Sequence, residues 1–349
     1  MKFYLTVIGV AMLIISVINI ILGTAAWYNI IILVVVCTAL QFALDGLIAI
    51  IINNMPDKLF GVDNPLYNVS ELEKKLCELT GAKYAVVCSN GTAALHIAAM
   101  AAGVSEGDEL ITTPITFAAS ANCGLYCGAK PVFADINPNT YNIDPKSVLE
   151  KITEKTKAVV AVDFTGQAVE LDELLAMCRE KGIALIEDGA HSIGTKYKDK
   201  MVGSIADMTT FSFHPIKTVT GGEGGAVLTN SEEYYKKLLL YRAHGITRDP
   251  SLMEKESHGT WYYEQISLGM NYRMTDIQAA LIISQLDKLE KFSKRRKEIV
   301  ARYNEAFQEL PEITVQEEIP ESDTTRHLYI LRLKLDKLKV GRKEFFDAM

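Results

Sequence analysis

An α/β fold with a largely parallel sheet is what this sequence predicts, on three observations. From residue 56 onward short apolar runs alternate with amphipathic ones. The amphipathic runs repeat at helical spacing, and the conspicuous polar residues fall where the apolar runs end. Such alternation places helices on both faces of a mostly parallel sheet. In sheets of that kind ligands sit outside the carboxyl ends of the strands.

Taken in order, "ELEKKLCELTG" (71–81) reads as a helix stopped by Gly81, and "YAVVC" (84–88) as a strand leading into the helix "GTAALHIAAMAAG". The strand "ELITTP" precedes the helix "TFAASANCGLYCG"; "PVFADI" is the next strand, followed by a helix near 145–155. "AVVAVDF" (158–164), "ELDELLAMCREKG" and "IALIED" (183–188) complete the alternation. The stretch "FSFHPIKTVTGGEGGAVLTN" (211–230) then places a glycine-rich segment between two strands. "SEEYYKKLLLYRAHG" reads as a helix, and 275–310 as one long helix or two abutting ones, opened by Thr275 and Gln278 at capping-box spacing. "HLYILRLKL" (327–335) has the period of a strand, and "GRKEFFDAM" starts a last helix.

The 349 residues suffice for about two domains. A net charge of −7 argues against a nucleic-acid surface, which needs concentrated Lys and Arg. The six cysteines (Cys37, Cys77, Cys88, Cys123, Cys127 and Cys178) form no CxxC pair and no zinc spacing, which suits a reducing compartment. Residues 1–55 differ in kind, with Lys2 and Asp45 their only formal charges. The stretches 3–23 and 27–52 are each long enough to cross a bilayer core of about 30 Å. They predict a transmembrane hairpin over 1–55, with a buried hairpin of a soluble core as the alternative.

Four features meet at strand ends. In "CSNGTAALH" a helix begins near Gly91, where free N–H groups, the Thr92 hydroxyl and the helix dipole form an anion site or a routine cap. Asp188 ends a very apolar strand, as the partner of a cation or as an N-cap, and His191 follows three residues later, facing the same place or serving structure. Phe117 lies beyond another strand end, where a ring stacks on a planar ligand or joins the core. Lys217 is a surface lysine or, if desolvation lowers its pKa, a nucleophilic amine. The glycines at 221, 222, 224 and 225 free the backbone around it, and Glu223 braces the turn. "GGEGG" precedes a strand and lacks GK[ST], so it is no P-loop. A lysine for covalent attachment, a carboxylate for a pyridinium nitrogen, a stacking ring and a phosphate site are together the requirements of pyridoxal phosphate (PLP).

At these residues the chain resembles the DegT/StrS-type sugar-nucleotide aminotransferases, which are fold-type I PLP enzymes. The matching phrases are "SNGTAALH", "TPITFAASAN", "GAKPVFADI", "VDFTGQAVE", "IEDGAHSIG", "FSFHPIKTVTGGEGG" and "ISLGMNYRMTDIQAAL", across roughly 65–335. The wording is closest to the pseudaminic-acid branch, whose members aminate C4 of a UDP-linked 4-keto-6-deoxy-N-acetylhexosamine with glutamate as donor. The resemblance implies that Lys217 carries the cofactor, Asp188 meets its ring nitrogen, Phe117 stacks and His191 lies near its 3-oxygen. It implies phosphate contacts from Gly91, Thr92 and Ser212, and from Asn271 to the site of a neighbouring subunit, hence a homodimer. Members with histidine in place of the lysine are dehydratases, so Lys217 favours transamination.

The implied organisation is a hairpin at 1–55, a PLP-binding large domain at 56–245, and a long helix with an incomplete small domain at 246–349. Family members usually begin with a soluble helix and loop and continue further past the strand around Tyr329. A joined or truncated frame with its seam between 56 and 72 is therefore an expectation too. The expected placement is membrane-anchored with the catalytic part cytoplasmic, or simply cytoplasmic if the hairpin is an artefact. The alternatives are the same fold acting on another keto substrate, or a non-catalytic membrane protein that keeps a PLP-binding surface.

Overall fold

The computed structural model describes residues 68–259 and 261–348. The expected hairpin lies outside the described residues, and among these no helix is long and apolar enough to cross a membrane.

The first helix, α1 (Asn68–Thr80), fully buries Leu72 and Leu76, one turn apart on one face. Each such leucine contributes about 1.5–3 kcal/mol relative to exposure. Strand β1 (Tyr84–Cys88) and helix α2 (Gly91–Ala101) follow, then β2 (Glu109–Thr112), α3 (Ala119–Tyr126), β3 (Lys130–Phe133) and α4 (Pro145–Lys151). Next come β4 (Thr156–Val162), α5 (Leu171–Lys181), β5 (Ala184–Asp188), β6 (Met208–Ser212), β7 (Gly225–Thr229) and α6 (Glu232–Arg242). These strands form one seven-stranded sheet in the order β1-β7-β6-β5-β4-β2-β3. Pairing is parallel from β3 through β6, while β7 runs antiparallel to both β6 and β1.

Apart from the edge strand β3, the strands are buried on both faces, so their side chains divide by alternation between two cores. Val87, Val159, Leu185 and Leu228 join the core with Leu72, Leu76, Leu171, Leu174, Ile282 and Ile283. Their sequence neighbours Val86, Val160, Ile186 and Val227 join the other core, with Leu95, Ile97 and Cys123. The expected three-layer α/β architecture is present.

Beyond the sheet, 275–310 is two helices, α7 (Asp276–Leu286) and α8 (Leu289–Phe307). The Thr275–Gln278 capping box is formed: Thr275 Oγ1 accepts from the Gln278 N–H at 3.3 Å, and the Thr275 N–H donates to Gln278 Oε1 at 3.1 Å. A two-stranded ribbon pairs β8 (Ile313–Val315) with β9 (Leu331–Leu333). The strand expected over 327–335 is therefore short. Its first half is diverted into a buried turn, where the His327 N–H donates to the Thr165 carbonyl at 2.7 Å and Arg296 donates to the carbonyls of Arg326 and His327.

Candidate active site at the strand ends

A cavity of about 600 Å³ opens at the carboxyl ends of β5 and β6, beside the start of α2. Gly91, Thr92, Phe117, Asp188, His191, Ser212 and Lys217 all line it. Asn271 does not: it is exposed and bridges through its backbone to Ala243.

The anion end is built by the start of α2. Asn90 caps the helix by accepting the Ala93 N–H at 2.8 Å, and the first-turn N–H groups of Gly91 and Thr92 have no intrahelical acceptor. A Cβ on Gly91 would lie 2.8 Å from Cβ of Ser212, so only glycine lets the helix start and the end of β6 meet. Uncompensated N–H groups, a positive helix end and the Ser212 hydroxyl thus converge on one spot.

Asp188, at the end of β5, is 4% exposed. Its Oδ2 accepts from Ser120 Oγ at 2.7 Å, which in turn pairs with Thr116 Oγ1 at 2.7 Å, and its Oδ1 accepts the Ala190 N–H at 3.2 Å. Burial pushes its carboxyl above the ordinary value, against the pull of these bonds and of Lys217. A ligand cation or N–H at this oxygen would stabilise the anion.

Lys217 stands in the loop joining β6 to β7. The loop is closed at its base by the Phe213 N–H on the Gly224 carbonyl at 2.8 Å and the Gly221 N–H on the Phe213 carbonyl at 3.0 Å. Burial lowers the amine's pKa, and the charge of Asp188 opposes that shift. A larger neutral fraction makes the amine a better nucleophile.

The glycines beside it serve a different end from the one expected. Only Gly222 has positive φ, at 81°. A Cβ on Gly221 would lie 2.6 Å from Cγ1 of Ile282, one on Gly224 2.9 Å from Cε of Met274, and one on Gly225 2.2 Å from the Asn90 carbonyl oxygen. They let the loop pack against α7 and the start of α2, which fixes the lysine's position. Glu223 is exposed, with Oε1 3.9 Å from Nε2 of His214.

Phe117 is 76% exposed on the cavity wall, so its ring is not a core residue. His191 is held neutral: burial first, then Lys217 and His327, lower its pKa to about 3. Its Nδ1 is buried and has no hydrogen-bond partner among the described residues. His327 stacks against it, ring centroids 4.5 Å apart, and its own Nδ1 is likewise orphaned.

Sequence reasoning missed Ser120, Thr116, Tyr272 and His327. Tyr272 lines the cavity, and its hydroxyl lies 3.1 Å from Nδ1 of His96. The hydroxyls of "TFAAS" were a usable signal for Ser120 and Thr116; nothing local marked Tyr272 or His327.

An amine of lowered pKa, a buried carboxylate and an anion-binding helix start in one cavity define a site for a phosphorylated aldehyde cofactor. Comparison with known proteins agrees. The model of the DegT/DnrJ/EryC1/StrS aminotransferase family matches residues 65–349. The spore coat polysaccharide biosynthesis protein SpsC of Bacillus subtilis is 42% identical over 281 residues, 80% of this chain and 72% of that protein. A UDP-4-amino-4,6-dideoxy-N-acetyl-beta-L-altrosamine transaminase of Campylobacter jejuni is 38% identical over 284 residues, again 80% and 72%. Spr1654 of Streptococcus pneumoniae, a proposed sugar aminotransferase solved in its PLP form, superposes with a TM-score of 0.72 at 31% identity, covering 80% of this chain and 75% of that one. The fold and the enzyme class are those of a PLP-dependent sugar aminotransferase. The chain belongs to the DegT/DnrJ/EryC1/StrS aminotransferase family.

Proposed function

We propose that this chain moves the amino group of glutamate onto the keto carbon of a nucleotide-linked sugar, a UDP-4-keto-6-deoxy-N-acetylhexosamine, using Lys217, Asp188 and His191. The observation that carries the reading is the convergence of Lys217 and the buried Asp188 on the cavity whose far end is the start of α2. The likeness to the Campylobacter transaminase supports the choice of sugar.

The residues fit the cofactor. The buried, orphaned Nδ1 of His191 and the uncompensated N–H groups at Gly91 and Thr92 are polar groups that await oxygen atoms. Gly91, Thr92 and Ser212 would hold the phosphate, Phe117 would cover a ring face, and Asp188 would hold the proton on the ring nitrogen. His191 would meet the 3-oxygen as a neutral imidazole, which can donate one hydrogen bond without adding charge. When bound, PLP supplies an electron sink that makes the Cα–H of the amino donor acidic.

Lys217 has two tasks. As a neutral amine it would hold the cofactor, and the same amine would move the proton of the donor's Cα. Its lowered pKa suits both. Tyr272 and Phe164 on the cavity walls exclude water from the reacting carbon.

Asn271, exposed and outside this cavity, would reach the phosphate of a second copy, so the reading includes a homodimer with shared sites. Anchorage through residues 3–52, with the catalytic part on the cytoplasmic side, belongs to the same reading and is supported by the hydropathy of that stretch alone. Carbonate extraction of membranes tests it.

The deciding experiment is borohydride reduction of the PLP-loaded chain followed by peptide mass analysis. The phosphopyridoxyl mass should fall on Lys217 and vanish in Lys217→Ala; an adduct that survives the substitution overturns the assignment. A panel of keto-sugar nucleotides then separates the 4-keto substrate from other ketones. A half-reaction with glutamate separates an enzyme from a cofactor-binding surface.

A further inference from the structure

Behind the cavity lies a carboxylate that no catalytic step uses. Asp163 follows the last residue of β4 and is 0% exposed, yet it has no cationic partner among the described residues. Its neighbour in the core, Glu187, is also fully buried, and accepts from Thr209 Oγ1 at 2.7 Å. Burying a carboxylate without a cation is expensive, and a leucine of similar size would fill the space more cheaply. The bonds that Asp163 makes supply the reason for its presence.

All of its bonds across the sheet lead to one turn. Its N–H donates to the Asp188 carbonyl at 3.1 Å, and its Oδ2 accepts from Ser192 Oγ at 2.5 Å. Its Oδ1 accepts the Val169 N–H at 3.0 Å, anchoring the carboxylate on its own side. Residues 188 and 192 bracket the turn that carries Asp188 and His191 into the cavity. The two chain segments are joined again further along, where Thr195 Oγ1 donates to the Gly166 carbonyl at 2.7 Å. Gly166 approaches the turn so closely that a Cβ there would lie 2.8 Å from the His191 carbonyl oxygen. Asp163 thus holds the turn at both ends, by its backbone N–H at Asp188 and by its carboxyl group at Ser192.

We propose that Asp163 is a positioning residue: its side chain, anchored on the Val169 N–H and accepting from the Ser192 hydroxyl, adds to the backbone bond at Asp188 and fixes the 188–192 turn so that Asp188 and His191 meet the cofactor at the correct angle. This rests on the cofactor reading above, so its test includes a measurement that does not depend on it.

Ser192 lies outside the cavity lining, which makes Ser192→Ala the mildest cut. In the cofactor-free full chain, amide exchange across residues 188–195 should accelerate in Ser192→Ala and Asp163→Ala; unchanged exchange overturns the tie. In the PLP-loaded chain, both variants should bind PLP about 3- to 10-fold more weakly, the loss expected of one buried hydrogen bond. The pH midpoint of the visible absorbance should also move. Asp163→Asn should restore both, because its amide oxygen still accepts from Val169 and its NH₂ can donate to Ser192 Oγ.

A merely structural role predicts a different pattern: a lower melting temperature with PLP affinity and the pH midpoint as in the wild type. That result overturns the proposal, as does Asp163→Asn falling as far as Asp163→Ala. Where Asp163→Ala does not fold, Ser192→Ala decides. If the wild type gives no visible band while exchange responds as expected, the cofactor reading fails and the tie stands.

Discussion

Asp188→Asn separates the cost of burying a charge from the work that charge does. In the cofactor-free chain the carboxylate has two neutral donors, Ser120 Oγ and the Ala190 N–H, and burial raises its pKa. A carboxyl raised in the folded state stabilises fully below its unfolded pKa of about 3.9, and that contribution is lost as pH climbs through the elevated folded value. Asparagine removes the titration. Its amide oxygen keeps the Ala190 bond, and the Ser120 hydroxyl can turn its proton to Thr116 and accept from the new NH₂. The cofactor-free variant should therefore lie within about 1 kcal/mol of the wild type, and on the more stable side at neutral pH. Turnover should respond quite differently. Removing one member of a buried charged hydrogen bond costs about 2–5 kcal/mol, or about 30- to 5000-fold in rate at roughly 1.36 kcal/mol per decade. Stopped-flow absorbance of the half-reaction with glutamate gives the rate, and denaturation of the cofactor-free chain gives the stability. A half-reaction within about threefold of wild type would refute the role of Asp188, since the expected loss begins near 2 kcal/mol.

Phe117→Ala removes a ring that is 76% exposed, so folding stability should stay within about 0.5 kcal/mol while PLP affinity drops about 3- to 10-fold by absorbance titration. Equal affinity would rule out stacking. Glu187, whose pKa burial pushes up to about 7, carries stability that is complete below its unfolded pKa and lost as pH rises through about 7. Glu187→Gln should lessen the fall of the denaturation midpoint across roughly pH 5–8, part of which remains with Asp163 and Asp188, and an unchanged slope would contradict this. Arg242 bonds Glu73 at 2.6 Å and the Val87 carbonyl at 3.0 Å, and both side chains of the pair are less than one-fifth exposed. Arg242→Ala should cost about 3 kcal/mol in urea unfolding, and a loss under about 1 kcal/mol would show that the pair is idle.

The alternation of elements was legible because fully buried strands and amphipathic helices leave different periods in the chain. Asp188 and Lys217 were legible because a charge or amine at the end of an apolar run is a local anomaly. Ser120 was not, because it acts on a residue 68 positions away. His327 was hidden for a related reason: "HLYILRLKL" has the period of a strand, but Thr324 and His327 bond to the 164–166 turn and pull the segment out of that strand. The glycines of "GGEGG" were visible, but whether they serve freedom or close packing depends on α7, which is distant in sequence. Glu187 stood in plain sight in "ALIED", yet a buried carboxylate cannot be told from a strand-end charge until the sheet's other face is known.

Among the described residues strand β1 bonds to the sheet only through β7, and Tyr84 pairs with Thr229. The first described strand of this sheet is thus joined to the rest by the sheet's last strand in sequence, which lies between β1 and β6. The anion end of the cavity needs β7 in place, because Gly91 opens the helix that follows β1 and Ser212 ends β6, the two strands that β7 joins. A phosphorylated ligand that enters there can bind only chains whose sheet is finished, and by mass action it draws the folding equilibrium toward them. Bound cofactor would then act as a clasp on the sheet, raising the stability of the assembled fold with its concentration, apart from any effect on its chemistry.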